Sequence, residues 1–195
     1  MALAIAAALT VGYAGAVPLF LLAGFFTYFF RDPERQSPPG ADLLVLSPAD
    51  GRVLVAGAAD PRAAPPGDWK QISIFLSPMD VHVNRSPVSG RVTRVDFRRG
   101  KYLPAYHTDA AATNERSEIW IDHHGRTVVF RQIVGMLARR VVCRVQPGSQ
   151  LAAGQRFGIM KFGSRMDVFL PPDAELKVSV GEKVVGGVTV MATLK

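Results

Sequence analysis

The 195-residue sequence has one cysteine, Cys143, so neither an intramolecular disulfide nor a cysteine-rich zinc site can form. A reducing compartment is thereby permitted. Histidine is also scarce, at His82, His107, His123 and His124. No HxH or HExxH run occurs, which removes the usual zinc-peptidase spacing. On a strand, the adjacent His123 and His124 would face opposite sides and could not share a metal. With Asp122 and Gly125 they read as a polar surface turn. No metal is expected. Acidic residues number 16 against 23 Lys and Arg, for a net charge of +7 and a pI near 10.0. Such a chain favours anionic partners, either nucleic acid or an acidic membrane surface. No basic helix or aromatic-interleaved basic patch is present, so nucleic acid is not the expected partner.

Charge is missing altogether from Ala2 to Phe30. Roughly 20 apolar residues cross a bilayer, so residues 1–30 are expected to form a membrane helix. Pro18, Gly12, Gly15 and Gly24 also allow a hairpin that dips and returns. A secretory signal is the competing reading, but the run lacks a basic start and is too long. Arg31 and Arg35 follow in FFRDPER, which puts the rest of the chain on the cytoplasmic side of the cell membrane. Residues 31–41 read as a Pro-rich linker.

From 42 to 195 short apolar runs are cut by Gly and Pro, among them LLVLSP, GRVLVAG, KQISIFLSP, GRVTRVDF and RTVVFRQIVG. This pattern predicts a mainly β fold, a sandwich or barrel-like domain with little helix. Only residues 105–116 read as a helix or an ordered loop. Two echoes stand out. SPADGRV (47–53) repeats as SPVSGRV (86–92), and Gly148, Leu151 and Gly154 repeat as Gly181, Val184 and Gly187. Either similar hairpins reuse one turn chemistry, or two related β-units fold against each other. The G-x-x-V-x-x-G pattern also resembles lipoyl and biotinyl carrier domains, but no suitable Lys or His stands at the tips.

Three places could carry chemistry. His82, in DVHVNR, shares a strand face with Asp80 and Asn84 by alternation; it is a candidate general base or a structural histidine. Asp50, in SPADG, reads on its own as a turn residue. Gly163-Ser164 interrupts an apolar strand pattern in MKFGSRMDVFLP. A serine after a residue without a side chain, given a base, can attack the preceding peptide carbonyl. The ester so formed breaks by β-elimination to dehydroalanine, which hydrolyses to an N-terminal pyruvoyl group. The dipeptide alone is equally at home in an ordinary loop.

Taken in order, FFRDPER, SPADG, FLSPMDVHVNRSPVSGRV, NERSE, QIVGMLARRVV, GQRFGIMKFGSRMDVFLP and VGEKVVGGVTVMA resemble phosphatidylserine decarboxylase, most closely its short membrane-associated branch. The resemblance runs from about Phe29 to Met191. It implies self-cleavage between Gly163 and Ser164, into a large chain (1–163) and a small chain (164–195) that stay together. Ser164 would become a covalently bound pyruvoyl group, with no metal. The resemblance further implies His82 as base and Asp50 as the aspartate that orients it. The substrate amine would form a Schiff base, and carbon dioxide would leave to give phosphatidylethanolamine. Arg85 stands where longer relatives have a second histidine, so the proton donor stays open. Asn84, Arg85 and Arg165 are candidate substrate-binding residues, with Arg31 and Arg35 as further candidates for the lipid phosphate. A homo-oligomer is an open alternative. A non-catalytic membrane-anchored β-domain and a carrier domain are the competing functions.

Overall fold

The computed structural model describes residues 13–136, 141–161 and 163–194. The chain divides into two compact units at Pro33/Glu34. In the first, helix α1 (Tyr13–Phe29) runs for 17 residues with Pro18 inside it. It exposes Val17, Phe20, Leu21 and Leu22. Among the described residues no helix is long and apolar enough to cross a membrane. The membrane helix expected over 1–30 is thus unsupported among the described residues. Residues 1–12 of that stretch lie outside the described residues.

The second unit is mainly β, with a 3-10 turn at Ala41–Leu43 and a single turn of helix, α2 (Ala110–Thr113). The stretch 105–116 is therefore mostly loop, and Arg116 already opens a strand. The central sheet is antiparallel and eight-stranded. Its order is β13 (Lys183–Val184), β2 (Gly51–Ala58), β3 (Lys70–Leu76), β11 (Ser164–Leu170), β7 (Arg126–Ile133), β6 (Arg116–His123), β5 (Gly90–Arg98) and β9 (Gln150–Leu151). Two three-stranded sheets flank it. One joins β1 (Leu44–Leu46), β14 (Val190–Thr193) and β12 (Glu175–Leu176); the other joins β4 (Val83–Arg85), β10 (Arg156–Ile159) and β8 (Val142–Cys143).

The two echoed stretches build the same local structure. Ser47 Oγ donates to the Ala49 carbonyl at 2.6 Å, and Ser86 Oγ to that of Val88 at 2.7 Å. The glycine that follows enters a strand tight against its neighbour. A Cβ on Gly51 or on Gly90 would stand 2.1 Å from the carbonyl oxygen of Phe75 or Asp122. The second echo closes on the first: Gly187 N donates to Ser47 O, and Gly154 N to Ser86 O. Leu46 N donates to Pro87 O while Arg85 N donates to Pro48 O. Each copy therefore does to the other what the other does to it. Shared turn chemistry alone would not produce that reciprocity; two β-units folded against each other do.

One face of the large sheet packs on the apolar core, with Val53, Ile74, Val92, Ile121, Phe130 and Val168 fully enclosed. Along β11, Met166, Val168 and Leu170 join that core. Alternation turns Arg165 and Asp167 to the other face.

The histidine pair differs from the sequence reading. His123 is buried, and its Nδ1 donates to the Ser89 carbonyl at 2.7 Å. His124 has φ +52 in the turn, so strand alternation lapses and the rings stack edge to face at 4.6 Å. Burial, the largest cause, holds the His123 pKa below 6.5 against the opposing Ser89 hydrogen bond.

Two predictions follow from this packing. Gly51→Ala and Gly90→Ala should each destabilise the fold by about 1–3 kcal/mol, the usual cost of overpacking, measured by urea unfolding. Because the folded pKa of His123 is depressed, the unfolded chain binds the extra proton first. Stability should therefore hold above pH 6.5 and fall as pH drops below it. His123→Gln should flatten that acid limb in pH-dependent unfolding.

Candidate active site

The start of β11 is where distant segments converge. Gly163 has φ +70, a left-handed conformation that costs other residues about 1–2 kcal/mol. A Cβ there would meet nothing within 4 Å, so the backbone conformation, not space, favours glycine. Ser164 opens β11 opposite Leu76 of β3 and is completely buried. Its Oγ has no hydrogen-bond partner among the described residues. Leaving a buried hydroxyl unpaired costs about 1–3 kcal/mol, the kind of cost that marks a functional group.

His82 is buried just before β4. Its Nδ1 lies 2.8 Å from the Asp80 carbonyl oxygen, which can only accept, so Nδ1 carries the proton. Nε2 then holds the lone pair, and it accepts from the Gly163 amide at 3.4 Å. This assigns the tautomer a general base needs. Met160 N donates to the His82 carbonyl at 3.1 Å, tying the segment before Gly163 to the histidine.

Gly135, just past β7, closes the other side. A Cβ on it would stand 2.1 Å from Gly163 O and 3.3 Å from Ala105 Cβ. A polar pair lies nearby: Gln132 Nε2 donates to Asn84 Oδ1 at 2.8 Å. Both side chains are fully buried, yet Asn84 Nδ2 and Gln132 Oε1 have no partner among the described residues. Gln132 pairs with Met166 in register, which places it on the Ser164 face and on its diagonal, typically about 7–8 Å away. A donor, an acceptor and a hydroxyl are thus left unsatisfied at one end of the sheet, where a polar ligand would pair them.

The other candidates are placed differently. Asp50 accepts from Arg35 Nη2 at 2.7 Å and from the Gly186 amide at 2.8 Å. Arg85 is buried and donates to the Gly154 carbonyl at 3.1 Å. Arg165 follows Ser164 in sequence but lies on the opposite face, paired with Asp167 at 2.6 Å and Ser73 at 2.9 Å. The structure brings His82, Gly163 and Ser164 together and sets Asn84 beside them through Gln132. Sequence reasoning singled out neither Gln132 nor Gly135, although QIVG contains both. It also passed over the carbonyl of Asp80, which no side-chain pattern could flag. Among the described residues no group of three or more His, Cys, Asp or Glu could hold a metal ion.

Over most of its length the chain is similar to proteins of one family. The family model described as phosphatidylserine decarboxylase matches residues 22–192. The phosphatidylserine decarboxylase proenzyme of Solibacter usitatus is 42% identical over 195 residues, covering 98% of this chain and 91% of the relative. That of Chlorobaculum parvum is 45% identical over 90% of this chain and 80% of its own. That of Gluconobacter oxydans is 47% identical over 87% and 77%. The chain belongs to the phosphatidylserine decarboxylase family and is a decarboxylase.

Proposed function

We propose that the chain matures by cutting itself at Gly163-Ser164 and then decarboxylates phosphatidylserine with a pyruvoyl group made from Ser164. The observation that carries this is the buried, unpaired Ser164 Oγ beside a histidine whose Nε2 is free of its proton. His82 takes the Oγ proton as Oγ bonds to the Gly163 carbonyl carbon. The Gly163–Ser164 C–N bond breaks, and the nitrogen takes the proton back. The resulting ester loses the Ser164 Cα proton and breaks at Cβ–Oγ, releasing Gly163 as a carboxylate and leaving dehydroalanine. Tautomerisation to the imine and addition of one water expel ammonia.

The residues present fit the group that results. A keto group at position 164 would replace a hydroxyl that has no partner now. When present, it supplies an electron sink for the bond to carbon dioxide. The chain itself limits exposure to bulk solvent, since every residue of β11 is buried. Asn84 Nδ2 is assigned to an anionic oxygen of the headgroup and Gln132 Oε1 to its ammonium, each pairing an orphaned atom. Asp50 is assigned a positioning role toward His82. It ties Arg35 to the SPADG turn, whose Pro48 carbonyl accepts from Arg85 N on the strand that follows His82. Arg85 and Arg165 act on the substrate only through their surroundings. Association with the cytoplasmic side of the bilayer through residues 1–30 would bring the site to its lipid. The exposed apolar side chains of α1 support that association.

Intact mass under denaturing conditions tests the maturation. The expected result is two chains, the smaller beginning at position 164 and lighter by one ammonia than a serine-initiated peptide. Ser164→Ala should remain one chain and release no carbon dioxide from phosphatidylserine; activity in that variant would overturn the reading. Gly135→Ala should fold but push the Gly163 carbonyl out of line. A displacement near 1 Å costs about a hundredfold in rate, so self-cleavage followed by mass over time should slow by that order. Normal processing in Gly135→Ala would remove the contact from the mechanism.

A further inference from the structure

The sheet face away from the core carries charge in rows. Register sets Arg98, Arg116, Ile133 and Arg165 side by side across β5, β6, β7 and β11. Asp96, Glu118, Arg131 and Asp167 form the next row. The second row is compensated: Arg131 pairs with Glu118, Arg165 with Asp167, and Arg94 with Asp96. In the first row, Arg98 stands directly opposite Arg116. Like charges facing each other across two strands cost stability, so this pair is expensive as it stands.

Among the described residues neither guanidinium has a carboxylate of its own. Arg116 is only 9% exposed. Its Nη1 donates to the carbonyls of Ala112 and Asn114 at 3.0 and 3.3 Å, and its Nε has no partner. Among the described residues the Arg98 side chain has no hydrogen bond or ion pair. Arg116 also faces Arg131, with Glu118 and Asp167 opposing. Burial, then the charges of Arg131 and Arg98, lowers its pKa from the usual guanidinium value.

Both arginines line a cavity of about 980 Å3. Trp69 and Trp120, edge to face at 6.3 Å, together with Pro65 and Pro66 give it apolar walls. Arg94 sits over the Trp120 ring at 5.5 Å. We propose that the Arg98–Arg116 pair is a binding site for a phosphate group. Planar guanidinium forks match phosphate oxygens, and an anion between the two converts repulsion into a bridge. Ser164 is on the other face of the sheet, so this site is separate from the catalytic one and does not depend on the maturation reading. The shared chemistry is a phosphate bearing free oxygens, carried either by a phospholipid headgroup or by the free ion.

Thermal unfolding of the full chain against inorganic phosphate, with chloride at matched ionic strength as control, tests the site. Native protein should show a saturable rise in Tm. Arg98→Gln, an exposed position outside the catalytic machinery, should respond with roughly tenfold lower affinity, as expected for one lost charge-assisted bond. Without phosphate its Tm should equal or exceed the native value, because the repulsion is gone. An equal phosphate response in both proteins, a response that chloride reproduces, or a lower Tm for Arg98→Gln in phosphate-free buffer would overturn the proposal. Cosedimentation with phosphatidylcholine vesicles, with and without phosphatidylglycerol, then separates the sources. Weaker sedimentation of Arg98→Gln on the anionic vesicles identifies a lipid headgroup; unchanged sedimentation alongside a lost phosphate shift identifies the free ion.

Discussion

The pairing of β11 between β3 and β7 is the constraint on which the rest depends. Ser164 to Leu170 pair with Leu76 to Lys70 on one side, and Arg165 to Phe169 with Ile133 to Val129 on the other. A strand bonded on both edges and buried throughout cannot move to relieve local strain. Gly163 is therefore held in a left-handed conformation at its entrance, with Gly135 against its carbonyl and His82 against its amide. The same pairing means that a cut before Ser164 would sever a connection and leave the ladder intact, so both products of the proposed cleavage stay in one fold.

The sheet order reads alike from both ends, with β13, β2, β3 and β11 answering β9, β5, β6 and β7. That correspondence shows what is special about the site. Between β6 and β7 the chain passes directly through the His124-Gly125 turn. Between β3 and β11 the equivalent hairpin is open: the chain leaves after Leu76, builds β4 to β10, and returns through Met160 and Lys161 to Gly163. His82 lies on the outgoing arm and Gly163-Ser164 on the incoming one, joined by the Met160 N to His82 O bond. An opened hairpin thus frames the candidate site.

Alternation divides labour across the large sheet. Its inner face carries the core and, at one end, Ser164 and Gln132. Its outer face carries arginines and carboxylates whose balance fails at Arg98 and Arg116. The two sets of residues share strands but face opposite sides, which separates the buried Ser164 from the cationic cavity.

Much of this was legible from residue types alone. The family motifs, the mainly β fold, Gly163-Ser164 and His82 could be singled out because glycine, serine and histidine have distinct chemistry and stand in ordered motifs. Arg165 was read as a substrate-binding candidate next to Ser164, although the strand places it on the opposite face. The membrane helix expected over residues 1–30 is unsupported among the described residues, because an uncharged stretch shows hydropathy but not helix length. His123 was misplaced as a surface residue, because burial depends on what packs above it. The Asp80 carbonyl on Nδ1, the Gly135 contact and the orphaned amides of Asn84 and Gln132 were decided only by the tertiary structure. So was the opposition of Arg98 and Arg116. Each arises between segments far apart in sequence, whose register is set by the packing of a whole sheet. Local pattern determines which face a side chain takes; only the assembled sheet determines its neighbour.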